Sequence, residues 1–251
     1  MTGLQIDAVS QTFGSLQVLS GISVVVRPGR VTAMLGPSGC GKSTLLHICA
    51  GLLRPDRGSV LHDGRDVTGE TGHMSYLQQK DLLLPWLRII DNVALPLELR
   101  GMPRAEARAV AAPHFERFGI AGFERHFPSQ LSGGMRQRAA LLRTYLFNGR
   151  IMLLDEPFGA LDTITRGRMH EWLLSLLREL EPAVLLVTHD VDEALLLSDE
   201  VVVLTARPAR VVETIPISLE RPRGEATLLS EEFRTTKRSV LDALHRGEAA
   251  R

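Results

Sequence analysis

The sequence predicts an α/β fold on a parallel sheet, with an N-terminal antiparallel β subdomain and an inserted helical subdomain. Three observations carry this expectation. The apolar run Val31 to Leu35, a glycine-rich loop and the apolar run Leu45 to Ala50 read as strand, tight loop and helix. Apolar runs of strand length at Ile151 to Leu154, Ala183 to Thr188 and Val201 to Leu204 alternate with helical patterns, as in a sheet buried on both faces. Between Ile89 and Asn148 helical spacing dominates, punctuated by Pro96, Pro103, Pro113 and Pro128.

In chain order, Leu4 to Val9 and Val18 to Val26 are extended candidates separated by Phe13-Gly14-Ser15, and Arg27-Pro-Gly-Arg30 closes the second. Gly51 and the turn Arg54-Pro-Asp-Arg-Gly58 stop the helix after the glycine-rich loop. Ser59 to His62 with Asp63-Gly64 reads as a hairpin, and Met74 to Gln78 as a short strand. Ala105 to Ala112 is dense in helix formers. Thr163 to Leu180 is a helix on which Trp172, Leu173, Leu176, Leu177 and Leu180 share a face. The tail from Ser218 is charged, but Phe233, Val240, Leu241 and Leu244 at helical spacing predict that it packs back. The expected division is a core of 1–88 and 149–217, a helical subdomain of 89–148 and a tail of 218–251.

Composition bounds the function. The chain has 251 residues, 44% of them hydrophobic, which is ample for a core. Lys plus Arg equals Asp plus Glu at 29 each, so no global field draws the chain to nucleic acid or anionic lipid. Cys40 and Cys49 are the only cysteines and indicate no disulfide framework. No apolar segment has bilayer-spanning length, and Met1 to Ser10 lacks the regions of a signal peptide. The expectation is a protein that stays where it is made.

The chemistry is carried by motifs. G-x-x-x-x-G-K followed by Ser or Thr is met by Gly36, Gly41, Lys42 and Ser43, within the segment Gly36, Pro37, Ser38, Gly39, Cys40, Gly41, Lys42, Ser43 and Thr44. Small, permissive residues let backbone N–H groups converge on nucleotide phosphates, and the helix that follows aims its positive end at the same anion. Lys42 would reach the β- and γ-phosphates, and Ser43 would offer its hydroxyl to Mg2+. Ile151-Met-Leu-Leu-Asp-Glu156 ends a strand in two acids: Asp155 is the expected holder of Mg2+ and Glu156 the carboxylate that polarises an attacking water. The same pair could instead be a helix cap or a solvated corner. Leu131-Ser-Gly-Gly-Met-Arg-Gln137 looks like a second phosphate cradle, useful only to a nucleotide held by another copy; alone, Ser-Gly-Gly is an ordinary cap.

Together these motifs, with Ala160-Leu-Asp162 and Thr188-His189-Asp190, resemble the nucleotide-binding subunit of ABC transporters in order and spacing. The resemblance implies a phosphate-loop, RecA-like core that hydrolyses ATP with Mg2+. It implies that Phe13, 23 residues before Gly36, stacks on adenine, and that Gln79 ligates Mg2+ and senses the γ-phosphate, with Gln78 as the rival assignment. It further implies that Ser132, Gly133 and Gly134 contact the γ-phosphate of a partner protomer, that Asp162 lies on the dimer seam, and that His189 holds the attacking water. The implied assembly is a head-to-tail homodimer sandwiching two ATP molecules. It would sit peripherally on the cytoplasmic side of the cell membrane, on permease subunits served by a solute-binding protein.

A narrower resemblance, to importer ATPases for nitrate, sulfonate, taurine and pyrimidine precursors, rests on four segments. They are Leu83-Leu-Pro-Trp86, Glu156-Pro-Phe-Gly-Ala-Leu-Asp162, Arg207-Pro-Ala-Arg210 and Ile215-Pro-Ile-Ser-Leu-Glu-Arg-Pro-Arg223. Lys80 and Asn148-Gly-Arg150 depart from that pattern. The surface around Leu83 to Arg88 is the expected permease contact, with Trp86 as anchor unless it packs inside the helical subdomain. One alternative is a soluble ABC ATPase acting on nucleic acid or another macromolecule, which would need a long coiled coil that this chain lacks. The other is a non-hydrolysing switch, which Glu156 and His189 oppose.

Overall fold

The computed structural model describes residues 3–159 and 161–249. The chain begins with β1 (Leu4–Phe13), β2 (Leu16–Val26) and β3 (Val31–Leu35), then α1 (Lys42–Cys49), β4 (Arg57–His62), β5 (Arg65–Asp66) and β6 (Ser75–Leu77). Next come α2 (Ile89–Leu99), α3 (Arg104–Ala111), α4 (His114–Arg117) and α5 (Gly133–Asn148). Then β7 (Ile151–Asp155), α6 (Thr163–Leu180), β8 (Ala183–Val187), α7 (Val191–Leu197) and β9 (Glu200–Leu204) alternate, before β10 (Val211–Pro216), α8 (Glu225–Leu228) and α9 (Glu231–Ala249).

Two sheets result, one antiparallel in the order β2-β1-β4-β5 and one in the order β10-β9-β3-β8-β7-β6. In the second, β9, β3, β8, β7 and β6 are parallel and only the edge strand β10 runs against them. Because side chains alternate along a strand, the parallel sheet feeds two cores. Met34, Leu153, Leu185 and Val202 pack with α1 and the buried faces of β1 and β2. Ala33, Leu35, Met152, Leu154, Leu186 and Val203 pack against the helical side. Buried on both faces, these strands read as unbroken apolar runs, whereas β2 alternates, with Ile22, Val24 and Val26 buried and Val25 exposed.

The structure departs from the sequence reading at several points. β1 runs on past Val9 to Phe13, because Gln11, Thr12 and Phe13 pair with Leu19, Gln17 and Leu16, and a bulge at Ala8 (φ 47°) re-sets the alternation on the way. β10 is a half-exposed edge strand with no apolar run to announce it. The tail does pack back: Phe233 and Val240 are buried, and Leu241 and Leu244 half-buried. Its charge is not all solvated, however, since Arg223 is 4% exposed. Its guanidinium donates to the carbonyls of Leu195, Ser198, Ile217 and Leu219, closing the C-terminal end of α7. Burial pulls its pKa down to about 10, with Arg221 lowering it further.

One loop is fixed from two sides. The buried Asn92 of α2 accepts the Leu84 N–H at 2.6 Å and donates to the carbonyls of Leu84, Leu87 and Arg88. From α5, Arg143 donates to the carbonyls of Asp81 and Leu82, and Arg136 pairs with Asp81 at 3.2 Å. The segment from Gln79 to Arg88 is thereby held between helices.

Arg223→Met should leave four carbonyls without their donor and cost about 2–4 kcal/mol, read as a lower urea midpoint at unchanged m-value. A midpoint equal to wild type would contradict the capping role.

Candidate functional site

β3 is flanked by β8 and β9, so the strand ends of β3, β7 and β8 converge at one rim of the sheet, where open α/β sheets collect ligands. A cavity of about 770 Å³ opens there, and Phe13, Lys42, Ser43, Gln79, Glu156 and His189 line it, with Ser38, Gly39, Gly41 and Thr44 on its loop side. Between β3 and α1 the chain turns through Gly41 at φ 120°, and a Cβ there would fall 2.7 Å from Val18 Cγ1, so both backbone and space demand glycine. At Gly36 a Cβ would press on Leu204 at 3.0 Å. Cys40 points its side chain into the core at 1% exposure, and its N–H donates to Pro37 O at 3.2 Å within the loop. Burial raises the pKa of the Cys40 thiol, against the smaller opposing effect of Lys42. Burial pushes Cys49 up to about 12.

Lys42 is 8% exposed and donates from Nζ to the carbonyls of Gly36 at 2.7 Å and Pro37 at 3.0 Å. These contacts turn loop carbonyls inward. Opposite, β7 delivers the two acids. Asp155 is buried, and burial raises its pKa; hydrogen bonding from Ser43 and from the Tyr76 hydroxyl opposes the rise, Glu156 adds to it and His47 reduces it. Tyr76 Oη lies 3.2 Å from Asp155 Oδ2, and burial together with that carboxylate raises the phenol in turn. Glu156 takes a left-handed backbone (φ 46°), its N–H donating to Val187 O at 2.8 Å. Gln79 Nε2 donates to its Oε2 at 3.0 Å, and His189 Nδ1 lies 3.2 Å from its Oε1.

Not every expected residue joins this cluster. Gln78 lines a separate groove of about 440 Å³, leaving Gln79 as the glutamine at the cavity. Ser132 and Asp162 are exposed and do not line the cavity. Ser132 caps α5 by accepting the Met135 N–H, and Asp162 caps α6 by accepting the Thr165 N–H. Gly133 and Gly134 open α5 beside α6, where a Cβ on Gly134 would sit 3.2 Å from Thr165. Ala160 lies outside the described residues. The sequence reading missed Tyr76, whose phenol is recognisable only once β6 is paired with β7, and Arg207, which enters the cavity from the β9–β10 turn.

The family model described as ABC transporter matches residues 19–159, more than half of the chain and a span that holds the glycine-rich loop, Gln79, Ser132 and both strand-end acids. The chain belongs to the ABC transporter family. Among its relatives is the formylaminopyrimidine import ATP-binding protein ThiZ of Halalkalibacterium halodurans, 41% identical over 96% of this chain and 95% of the relative.

 

The ThiZ alignment spans 243 residues. The taurine import ATP-binding protein TauB of Yersinia pestis is 40% identical over 88% of this chain and 87% of its own length. Among solved structures, the dimeric post-hydrolysis state of the ATP-binding cassette MJ0796 bound to ADP and Pi matches with a TM-score of 0.73 at 27% identity, covering 86% of this chain and all of that one. This ABC cassette binds ATP and is an ATPase.

With the thiol protonated and buried, Cys40 should alkylate with iodoacetamide at pH 8 at least about tenfold more slowly in the folded protein than in denaturant. Equal rates, read by mass spectrometry, would contradict the inward placement.

Proposed function

We propose that this ABC ATPase powers the import of a small solute of the nitrate, sulfonate, taurine or pyrimidine type through a separate membrane permease, working as a head-to-tail homodimer. The observation that carries the hydrolytic part is Glu156, held between Gln79 and His189 over the cavity that Lys42 and Ser43 floor. In hydrolysis Glu156 takes the proton of a water as its oxygen attacks the γ-phosphorus, and ADP leaves in line. Lys42 and the loop N–H groups hold the phosphates, and His189 orients the water. A buried carboxylate, Asp155, beside the hydroxyl of Ser43 is a hard-oxygen set that fits Mg2+, with Gln79 as a further ligand. Bound there, Mg2+ would supply charge neutralisation at the phosphates.

The exposed Ser132, Gly133 and Asp162 suit a surface that a second copy covers, supplying its Leu131–Gln137 segment, the signature loop, to the first copy's nucleotide. The dimeric MJ0796 cassette supports that arrangement. ThiZ and TauB, named for import, support the solute class and a place at the membrane, and they favour transport over action on nucleic acid. Among the described residues no helix is long and apolar enough to cross a membrane, which is consistent with a pathway supplied by a separate permease.

The permease contact is the surface beyond Gln79. Leu83 is core, contrary to the expectation for the whole Leu83 to Arg88 segment, because Leu82 (φ 46°) takes the outward position. Trp86 is 71% exposed and therefore does not pack inside the helical subdomain. The exposed Leu52, Leu82 and Leu99 line the groove of about 440 Å³, giving the permease an apolar seat beside the γ-phosphate sensor.

Glu156→Gln should keep ATP binding, lower turnover by at least about a hundredfold, and leave a dimer on size exclusion with Mg-ATP. A monomer under those conditions would sink the sandwich. Trp86→Ala should abolish solute uptake and permease co-purification with ATP binding by the isolated subunit unchanged; intact co-purification would move the contact elsewhere.

A further inference from the structure

The segment Arg207-Pro-Ala-Arg210 stands in the β9–β10 turn, and the hydrolytic scheme leaves its first arginine without a role. Arg207 lines the same cavity as Lys42 and Phe13. A Cβ on Gly39 would lie 3.8 Å from its Nη2, so the guanidinium rests over the phosphate loop where glycine leaves room. Among the described residues lining the cavity Glu156 alone is acidic, and its oxygens face Gln79 and His189. Lys42 is satisfied by two loop carbonyls. Arg207 is thus a cation at the cavity with no carboxylate there to neutralise it.

Its backbone is also fixed. The Ala209 N–H donates to Val18 O at 2.8 Å and the Ser20 N–H to Ala209 O at 2.9 Å, tying the turn to β2. On the other side the Ala206 N–H donates to Gly247 O of α9 at 3.1 Å, and the Thr205 hydroxyl donates to Pro208 O at 3.1 Å. A cation held this way is pre-organised for an anion.

We propose that Arg207 binds the phosphate chain of the nucleotide as a second cation beside Lys42. The contact is a charge-assisted hydrogen bond from guanidinium to phosphate oxygen, a pairing that its planar donors suit. The inference rests on the nucleotide site proposed above. Arg210, exposed in the same turn but outside the cavity, is the internal control.

The test measures Kd for Mg-ATP and for ADP on the full chain by calorimetry, at low and high salt. Arg207→Gln should weaken both by about tenfold, with a shallower salt dependence and an unchanged melting temperature without nucleotide. Arg207→Lys should recover part of the loss, and Arg210→Gln should bind as wild type. Wild-type affinity in Arg207→Gln, or an equal loss in Arg210→Gln, overturns the proposal. Lys42→Ala separates the two readings: if it loses affinity while Arg207→Gln does not, only the role of Arg207 fails, and if neither loses affinity the site itself is wrong.

Discussion

A buried ammonium group shapes the nucleotide end of this protein. A cation removed from water costs several kcal/mol unless acceptors surround it. Here Lys42 finds them in the carbonyls of Gly36 and Pro37, within the loop that precedes it. The loop therefore bends round its own lysine, a turn that the Cys40 N–H closes on Pro37 O at 3.2 Å. Gly41 permits the bend because Val18 leaves no room for a side chain. The position of β3 between β8 and β9 does the rest, since parallel strands bring Asp155, Glu156 and His189 to the same rim.

Glu156 shows a second constraint. Its left-handed backbone costs about 1 kcal/mol or more, and the surroundings hold it there through the Val187 carbonyl, Gln79 and His189. The exposed Ser132 and Asp162 behave differently. Ser132 and Asp162 are occupied as helix caps within the chain, yet each leaves its face open to a partner. The proposed two-copy site would account for the place of Ser132, read as a phosphate contact, and of Asp162, read as a seam residue, outside the cavity of one copy.

The glycine-rich loop and the strand-end acids were legible in the sequence because their chemistry demands particular residue types at fixed spacing. The parallel strands were legible because burial on both faces leaves unbroken apolar runs. What escaped depends on tertiary placement. Gln78 and Gln79 are neighbours with the same side chain, and only the pairing of Leu77 with Leu154 decides which of them faces Glu156. Arg223 looks like one charge among many in the tail, and its burial follows from carbonyls of α7 that lie distant in sequence. Tyr76 reaches the site from β6 and Arg207 from the turn between β9 and β10, and no local pattern names the neighbours of these strands.

The central claim is that each nucleotide is hydrolysed between the phosphate loop of one copy and the signature loop of the other. Mixing two variants that are inactive alone, Lys42→Ala and Ser132→Arg, tests it most directly. In a two-fold dimer the mixed species has one site with both lesions and one with neither, so the mixture should recover up to about a quarter of wild-type ATPase activity. A mixture as inactive as either variant alone, with mixed dimers demonstrably formed, would contradict the account.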